Sequence, residues 1–226
     1  MEAAFWRTKW KDNVIGFHQA EFNAHLTRWW PTLSLSPGAR VLVPLCGKTR
    51  DMLWLRQRGH AVVGVELSEI ACQAFFEENG VPYQREPAGS HVRWRATDDG
   101  PALELLQGDF LALDASKLGR VDALFDRAAF IALPEPMRRR YAKQLAALLP
   151  PAARGLLIHI WYPQHEKKGP PFSVTPSHAS DLLAEDFELQ TCAQQDLMQD
   201  PVMSKRWPLS SLDQAIVALT RRQGSA

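Results

Sequence analysis

The sequence predicts an α/β fold, a mostly parallel sheet covered by helices, and three observations carry that expectation. Two short runs, residues 41–45 (VLVPL) and 61–66 (AVVGVE), are apolar and rich in valine, as strands buried on both faces are. Each is followed by a segment with apolar residues at helical spacing, 49–59 and 68–80. The links between them are only a few residues long. Strand–helix–strand–helix order with short links is the pattern of a parallel sheet, because parallel neighbours need a crossover and a helix supplies it.

Each element then has its own warrant. Residues 17–30 put Phe22, Leu26 and Trp30 on one face and predict an amphipathic helix that Pro31 ends. SLSPGAR turns the chain at Pro37-Gly38 and delivers it to the first strand. After a loop at Cys46-Gly47, Met52, Leu53 and Leu55 mark a helix with Gly59 at its C-cap. The second strand ends on Glu66, and Ser68 stands where an N-cap hydroxyl belongs, ahead of a helix closed by Gly80. Val92, Trp94 and Ala96 alternate, Asp99-Gly100 turns, and ALELLQ resumes, so a hairpin is expected to feed a strand. VDALFDR is another short strand, PEPMRRRYAKQLAALLP a helix opened by prolines, and GLLIHIWY a strand. PQHEKKGPPFSVTP is too rich in proline, glycine and charge to be core. HASDLLAED predicts a short helix, and FELQTCAQQDLM with QAIVALTRR a closing antiparallel hairpin. With no linker or repeat in between, residues 1–226 are expected to form a single domain, 1–31 being an N-terminal cap.

Composition narrows function by exclusion. A formal net charge of +1 gives no electrostatic reason to expect nucleic acid or an anionic membrane as a partner. No apolar run approaches the roughly 20 residues that span a bilayer, and the opening MEAAFWRTKWKDN mixes charges with aromatics, unlike a signal peptide. Cys46, Cys72 and Cys192 lie far apart and the seven histidines form no H-E-x-x-H, so no metal site is expected. The cysteine usage points to a reducing, cytoplasmic compartment. Without heptads or a long exposed apolar stretch, a monomer is the expectation.

Gly47-Lys48-Thr49 resembles the tail of a phosphate-binding loop, but G-x-x-x-x-G-K-[ST] needs a glycine five residues earlier, where Leu42 stands inside the strand. A dinucleotide site needs G-x-G-x-x-G, and the loop has one glycine. Glu66, about 20 residues further on at a strand end, is nevertheless where a carboxylate accepts ribose hydroxyls. A nucleoside cofactor without phosphate fits that mixture, and S-adenosylmethionine is the common one. Asp109, after the ALELLQ strand, stands where it can face an adenine edge, and Arg127 follows the next strand at the rim where open α/β sheets bind ligands. Blander readings stand beside these. Asp109 suits a turn or helix cap, Arg127 a solvated pair with Asp126, and Glu66 a helix-dipole partner.

FWRTKWKDNVIGFHQ, VLVPLCGKTRDMLWLRQRGHAVVGVELSE, FDRAAFIALP and GPPFSV together resemble the bacterial thiopurine S-methyltransferase family over nearly the whole chain. The resemblance implies a class I (Rossmann-like) methyltransferase fold, with a seven-stranded sheet containing one antiparallel strand, and S-adenosyl-L-methionine as cofactor. It places Leu45 at the glycine loop, Glu66 on the ribose, Asp109 and Phe110 beside the adenine, and Arg127 between cofactor and acceptor as the catalytic candidate. Trp6 and Trp10 fall in the segment that folds over the cofactor, and Phe17 faces an aromatic acceptor. His18 lines the acceptor pocket or caps a helix, and Pro171 and Phe172 belong to a loop near the acceptor. Lys205 or Arg206 is the candidate for a C-terminal pocket cation. The acceptor implied is a small aromatic or heterocyclic thiol, with selenium or tellurium compounds as a further possibility. A nicotinamide-dependent dehydrogenase and a non-catalytic S-adenosylmethionine-binding protein are the competing readings.

Overall fold

The computed structural model describes residues 3–223. The chain begins with helix α1 (Ala3–Lys11), an irregular stretch, helix α2 (Ala24–Trp29) and a 3-10 turn over Trp30–Leu33. Strand β1 (Arg40–Pro44), helix α3 (Asp51–Gln57), strand β2 (Ala61–Glu66) and helix α4 (Glu69–Glu78) follow as expected. Next come β3 (Tyr83–Ala88), β4 (His91–Ala96) and β5 (Leu103–Gln107), then short helix α5 (Ala115–Leu118), β6 (Ala123–Arg127) and short helix α6 (Ala129–Ala132). Helix α7 (Glu135–Leu148), β7 (Arg154–Trp161), α8 (Pro176–Leu183), β8 (Phe187–Asp196), α9 (Pro201–Arg206) and β9 (Asp213–Arg221) complete it.

All nine strands join one sheet in the order β3-β4-β5-β2-β1-β6-β7-β9-β8. β5, β2, β1, β6 and β7 run parallel, and β9 lies antiparallel between β7 and β8. Sheet residues alternate between two cores, as a two-residue period requires. Leu42, Val63, Val65, Leu106, Leu124 and Leu157 face one layer of helices, while Val41, Val43, Val62, Leu105, Phe125 and Leu156 face the other. Burial on both faces explains why these strands read as continuous apolar runs.

Two expectations need correction. The sheet has nine strands where seven were expected, because a β3–β4 hairpin extends the β5 edge and makes β4 a second strand running against its neighbours. β3 carries Gln84, Arg85, Glu86 and Pro87 in largely exposed positions, so no apolar run announces it, and a proline is tolerated at a sheet edge. The hairpin is held by aromatics: the Tyr83 ring lies 5.2 Å from Trp94 and 4.9 Å from Phe76 of α4.

The predicted helix over 17–30 is confined to α2. The Asn23 side chain accepts hydrogen bonds from the His25 and Leu26 amides, which starts the helix at residue 24 and leaves 17–22 irregular. Leu26 and Trp30 still enter the core, as their spacing indicated. Trp6 and Trp10 precede that helix and lie on an additional helix, α1, that the sequence did not announce. Elsewhere the caps fall where the sequence put them, with Ser68 accepting from the Ala71 amide at the start of α4.

Candidate active site

The parallel sheet delivers its polar residues to one rim. The chain leaves β1 toward β2 on one side and later returns to its other side through β6, so a crevice opens at the carboxyl ends of these strands. A cavity of about 870 Å³ occupies it, toward the upper end of the roughly 300–1,000 Å³ usual for small-molecule sites. Leu45 follows β1, Glu66 ends β2, Asp109 and Phe110 follow β5 and Arg127 ends β6, and all five line this cavity.

Glu66 is 6% exposed, and burial raises its pKa. Its Oε2 accepts from the Gly47 amide at 2.8 Å and its Oε1 from the Ser68 amide at 2.7 Å, two bonds that oppose that rise. The carboxylate thus fastens the loop after β1 to the start of α4, and each oxygen retains lone-pair capacity toward the cavity it lines. Gly47 has φ +54°, and a Cβ there would lie 3.0 Å from the indole of Trp10. The loop needs a glycine because α1 packs its tryptophan directly on the backbone.

Arg127 and Asp126 are not a solvated pair. As neighbours on one strand they point to opposite faces. Asp126 is fully buried, accepts from Tyr141 Oη at 2.7 Å and the Phe130 amide at 3.1 Å, and burial pushes its pKa up to about 6. Arg127 faces the cavity and donates to the Phe17 carbonyl at 3.1 Å. Burial lowers its pKa, the charge of Asp51 opposes this and that of Arg206 adds to it. A guanidinium keeps its proton at neutral pH all the same.

The roof comes from both ends of the chain. Phe17 meets Trp6 edge-on at 5.8 Å and Trp10 at 5.7 Å, and all three line the cavity. Arg206, at the end of α9, donates to the Gly16 carbonyl and closes the C-terminal side onto the N-terminal one. Of the two candidate C-terminal cations, Arg206 is the one that reaches the cavity.

His18 lines a smaller adjoining recess shared with Trp10, Phe17 and Arg127. Burial lowers its pKa, with the charges of Lys48, Arg127 and Arg50 acting the same way and Glu78 opposing, so it is neutral at pH 7. Gly169, Pro170 and Pro171 line the main cavity, whereas the Phe172 ring is turned onto Gly169, close to where a Cβ of that glycine would stand. Asp109 does act as a cap, accepting from the Leu111 amide at 2.9 Å, while still facing the cavity.

Sequence reasoning missed the far end of the cavity, walled by Ile131, Leu133, Met137, Met203, Trp207 and Leu212, with Lys167 placed 4.9 Å over the Trp207 ring. It also missed Asp51, a buried carboxylate that accepts from the Asn23 amide at 2.7 Å and pins the N-terminal segment to the start of α3. The only advance signal for Asp51 was its place in the first turn of a helix after the glycine loop. Among the described residues no group of three His, Cys, Asp or Glu side chains is placed to hold a metal, and no helix is long and apolar enough to cross a membrane.

A parallel sheet with an antiparallel β9 inserted beside β7, an acid ending β2 and a loop with a single glycine, fitting neither phosphate-binding pattern, define a class I S-adenosylmethionine-dependent methyltransferase fold. Among solved structures, the chain is similar to the Burkholderia thailandensis 1,6-didemethyltoxoflavin-N1-methyltransferase with S-adenosylhomocysteine bound (TM-score 0.64, 16% identity, covering 98% of this chain and 87% of that one). A TehB-like methyltransferase from Corynebacterium glutamicum has the same fold (TM-score 0.57, 15% identity, 98% of each chain). The family model for thiopurine S-methyltransferase matches residues 1–222. The thiopurine S-methyltransferase of Shewanella sp. (strain ANA-3) is 44% identical over 98% of this chain and all of that protein, and that of Nitrosospira multiformis 40% identical over 98% and 99%. The chain belongs to the thiopurine S-methyltransferase family.

Proposed function

We propose that the chain transfers the methyl group of S-adenosylmethionine to the sulfur of a small aromatic or heterocyclic thiol, thiopurines among them. The observation that carries this reading is one continuous cavity that is polar at the Glu66–Asp109 end, apolar at the Met137–Trp207 end, and bordered by a cation at Arg127. The residues fit the cofactor: a buried carboxylate for ribose hydroxyls, a glycine loop too poor in glycine for pyrophosphate, and Asp109 and Phe110 for the adenine. The missing glycines weigh against a nicotinamide nucleotide.

When bound, S-adenosylmethionine supplies an electrophilic methyl group on a sulfonium sulfur. Methyl transfer of this kind makes one S–C bond as another breaks, and the residues contribute position more than acid–base chemistry. Arg127 faces the place where an acceptor sulfur would sit, and its charge favours the thiolate over the thiol. No general base is required for a heteroaromatic thiol that already ionises near neutrality, and His18 is held neutral and to one side. Trp6, Trp10 and Phe17 roof the cavity with aromatic surface. Because an anion and a cation annihilate in the reaction, a dry apolar setting disfavours the separated charges more than the transition state. Arg206 and Lys167 offer positive charge to polar substituents of the acceptor at the far end.

The same reading takes the chain as one cytoplasmic unit acting as a monomer, with α1 through residue 31 as the cap; its three free thiols suit a reducing compartment. The test is methyl transfer from labelled S-adenosylmethionine to 6-mercaptopurine, with selenite in parallel. Turnover on the thiol is the expected outcome. Turnover on selenite alone would move the function to selenium chemistry, and cofactor binding without turnover on either would favour a binding-only role.

A further inference from the structure

We propose that His91 is a positioning residue for the adenine side of the site, and that the added β3–β4 hairpin serves to bring it there. This rests on the reading that Asp109 and Phe110, which Gly108 directly precedes, face the adenine. His91 opens β4, the antiparallel strand next to β5, and is 4% exposed. Its Nε2 donates to the Asp109 carbonyl at 3.2 Å, and its Nδ1 accepts from Ser90 Oγ at 3.1 Å, so the Nε2–H tautomer satisfies both contacts. The ring lies flush on Gly108: a Cβ at that glycine would be 2.2 Å from the imidazole carbon and 2.7 Å from Nε2. Gly108 in turn donates its amide to the Glu66 carbonyl at 2.8 Å, at the end of β2. The loop carrying Asp109 into the cavity is therefore gripped from below by β2 and from the side by His91. Among the described residues, the five parallel strands and their closing β8–β9 hairpin make no side-chain contact of this kind to the Asp109 carbonyl.

The geometry predicts a specific coupling. Gly108 must lack a side chain because the imidazole fills the space, and the imidazole is useful because Gly108 lets it reach the Asp109 carbonyl. Calorimetric titration with S-adenosylhomocysteine tests this on the full chain. His91→Ala should raise Kd about fivefold to tenfold, the scale of one lost hydrogen bond. His91→Gln, which can still present an N–H at similar reach, should stay within about twofold of the parent. Gly108→Ala should bind more weakly than His91→Ala, and the double variant should recover part of that loss because the methyl then enters vacated space. His91→Ala should also discriminate less between S-adenosylhomocysteine and S-inosylhomocysteine, a ratio that general destabilisation would leave alone.

Parent-like binding by His91→Ala, an unchanged ratio, or a double variant no better than Gly108→Ala overturns the proposal. Should Gly108→Ala not fold, the contrast between the alanine and glutamine variants of His91 decides. A parent chain that does not bind S-adenosylhomocysteine overturns the cofactor reading and this inference with it, whereas parent-like binding by His91→Ala removes only the latter.

Discussion

Glu66 does two things at once, and its substitution separates them. The carboxylate satisfies the Gly47 and Ser68 amides, and on the proposed reading the same group receives ribose hydroxyls. Glu66→Gln removes the charge and one acceptor while keeping the shape. S-adenosylhomocysteine should bind about 1–3 kcal/mol more weakly, the scale of a hydrogen bond to a charged group or an unsatisfied buried donor; an unchanged Kd in calorimetry would refute the ribose assignment. Arg127→Met, an apolar replacement of similar length, should cost about tenfold to a hundredfold in kcat/KM for the thiol, as loss of one electrostatic contact to a reacting atom does. If its charge supports the thiolate, the deficit narrows as pH rises past the acceptor's own pKa. A deficit equal at every pH would mean that Arg127 only holds the Phe17 backbone. These two residues were legible because strand ends in a parallel sheet all deliver to one rim, so position along the chain predicts position in the site. Met137, Met203 and Trp207 were not, because helices and loops bring them there through tertiary packing that no local period encodes.

At the scale of elements, α1 is a lid packed on the glycine loop, and the contact is close enough to test. Gly47→Ala must adopt φ +54°, which costs roughly 1–2 kcal/mol for a residue with a Cβ, and its methyl would press the Trp10 ring at 3.0 Å. The tryptophan ring must give by a few tenths of an ångström, which loosens the seat of α1 on the loop. The variant should fold, bind S-adenosylhomocysteine at least about tenfold more weakly, and show faster amide exchange across residues 5–17 than the parent with ligand present. Equal exchange in the two would mean that α1 is anchored without the Trp10 contact. The elements differ in how openly the sequence showed them. β1, β2, β6 and β7 are buried on both faces and stood out as apolar runs, and the β8–β9 pair was expected as a closing hairpin. β3 was invisible because an edge strand with one wet face and a proline has no apolar signature. Residues 17–22 kept helical spacing without forming helix, since the Asn23 cap fixes where the helix begins and the Asp51 carboxylate holds the Asn23 amide.

Taken over the whole molecule, burial of ionisable groups makes stability depend on pH in two opposed ways. Burial lowers the pKa of His18, His25, His60 and His159, so the native state keeps them neutral and loses stability as pH falls below their ordinary value of 6.5. Burial raises the pKa of Asp51, Glu66 and Asp126, and a carboxyl raised above its unfolded value contributes most at low pH and loses that contribution as pH rises through its native pKa. Asp126 is the clearest case, moved from 3.8 to about 6 inside the core against Tyr141. Between those two values the native chain holds a proton that the unfolded chain has released, so the slope of stability against pH is negative there. Two units correspond to about 3 kcal/mol, or at most roughly 6–12 °C in Tm for a chain of this size. Asp126→Asn has no proton to lose. It forfeits part of the bonding to Tyr141 and the Phe130 amide at every pH, a constant offset, but its Tm relative to the parent should climb as pH goes from 4 to 7. The histidine contributions are common to both chains and cancel in the difference. Parallel thermal melts at half-unit steps measure that difference directly, and a flat line across the window would show that Asp126 is ionised in the native core and that its hydrogen bonds outweigh its burial.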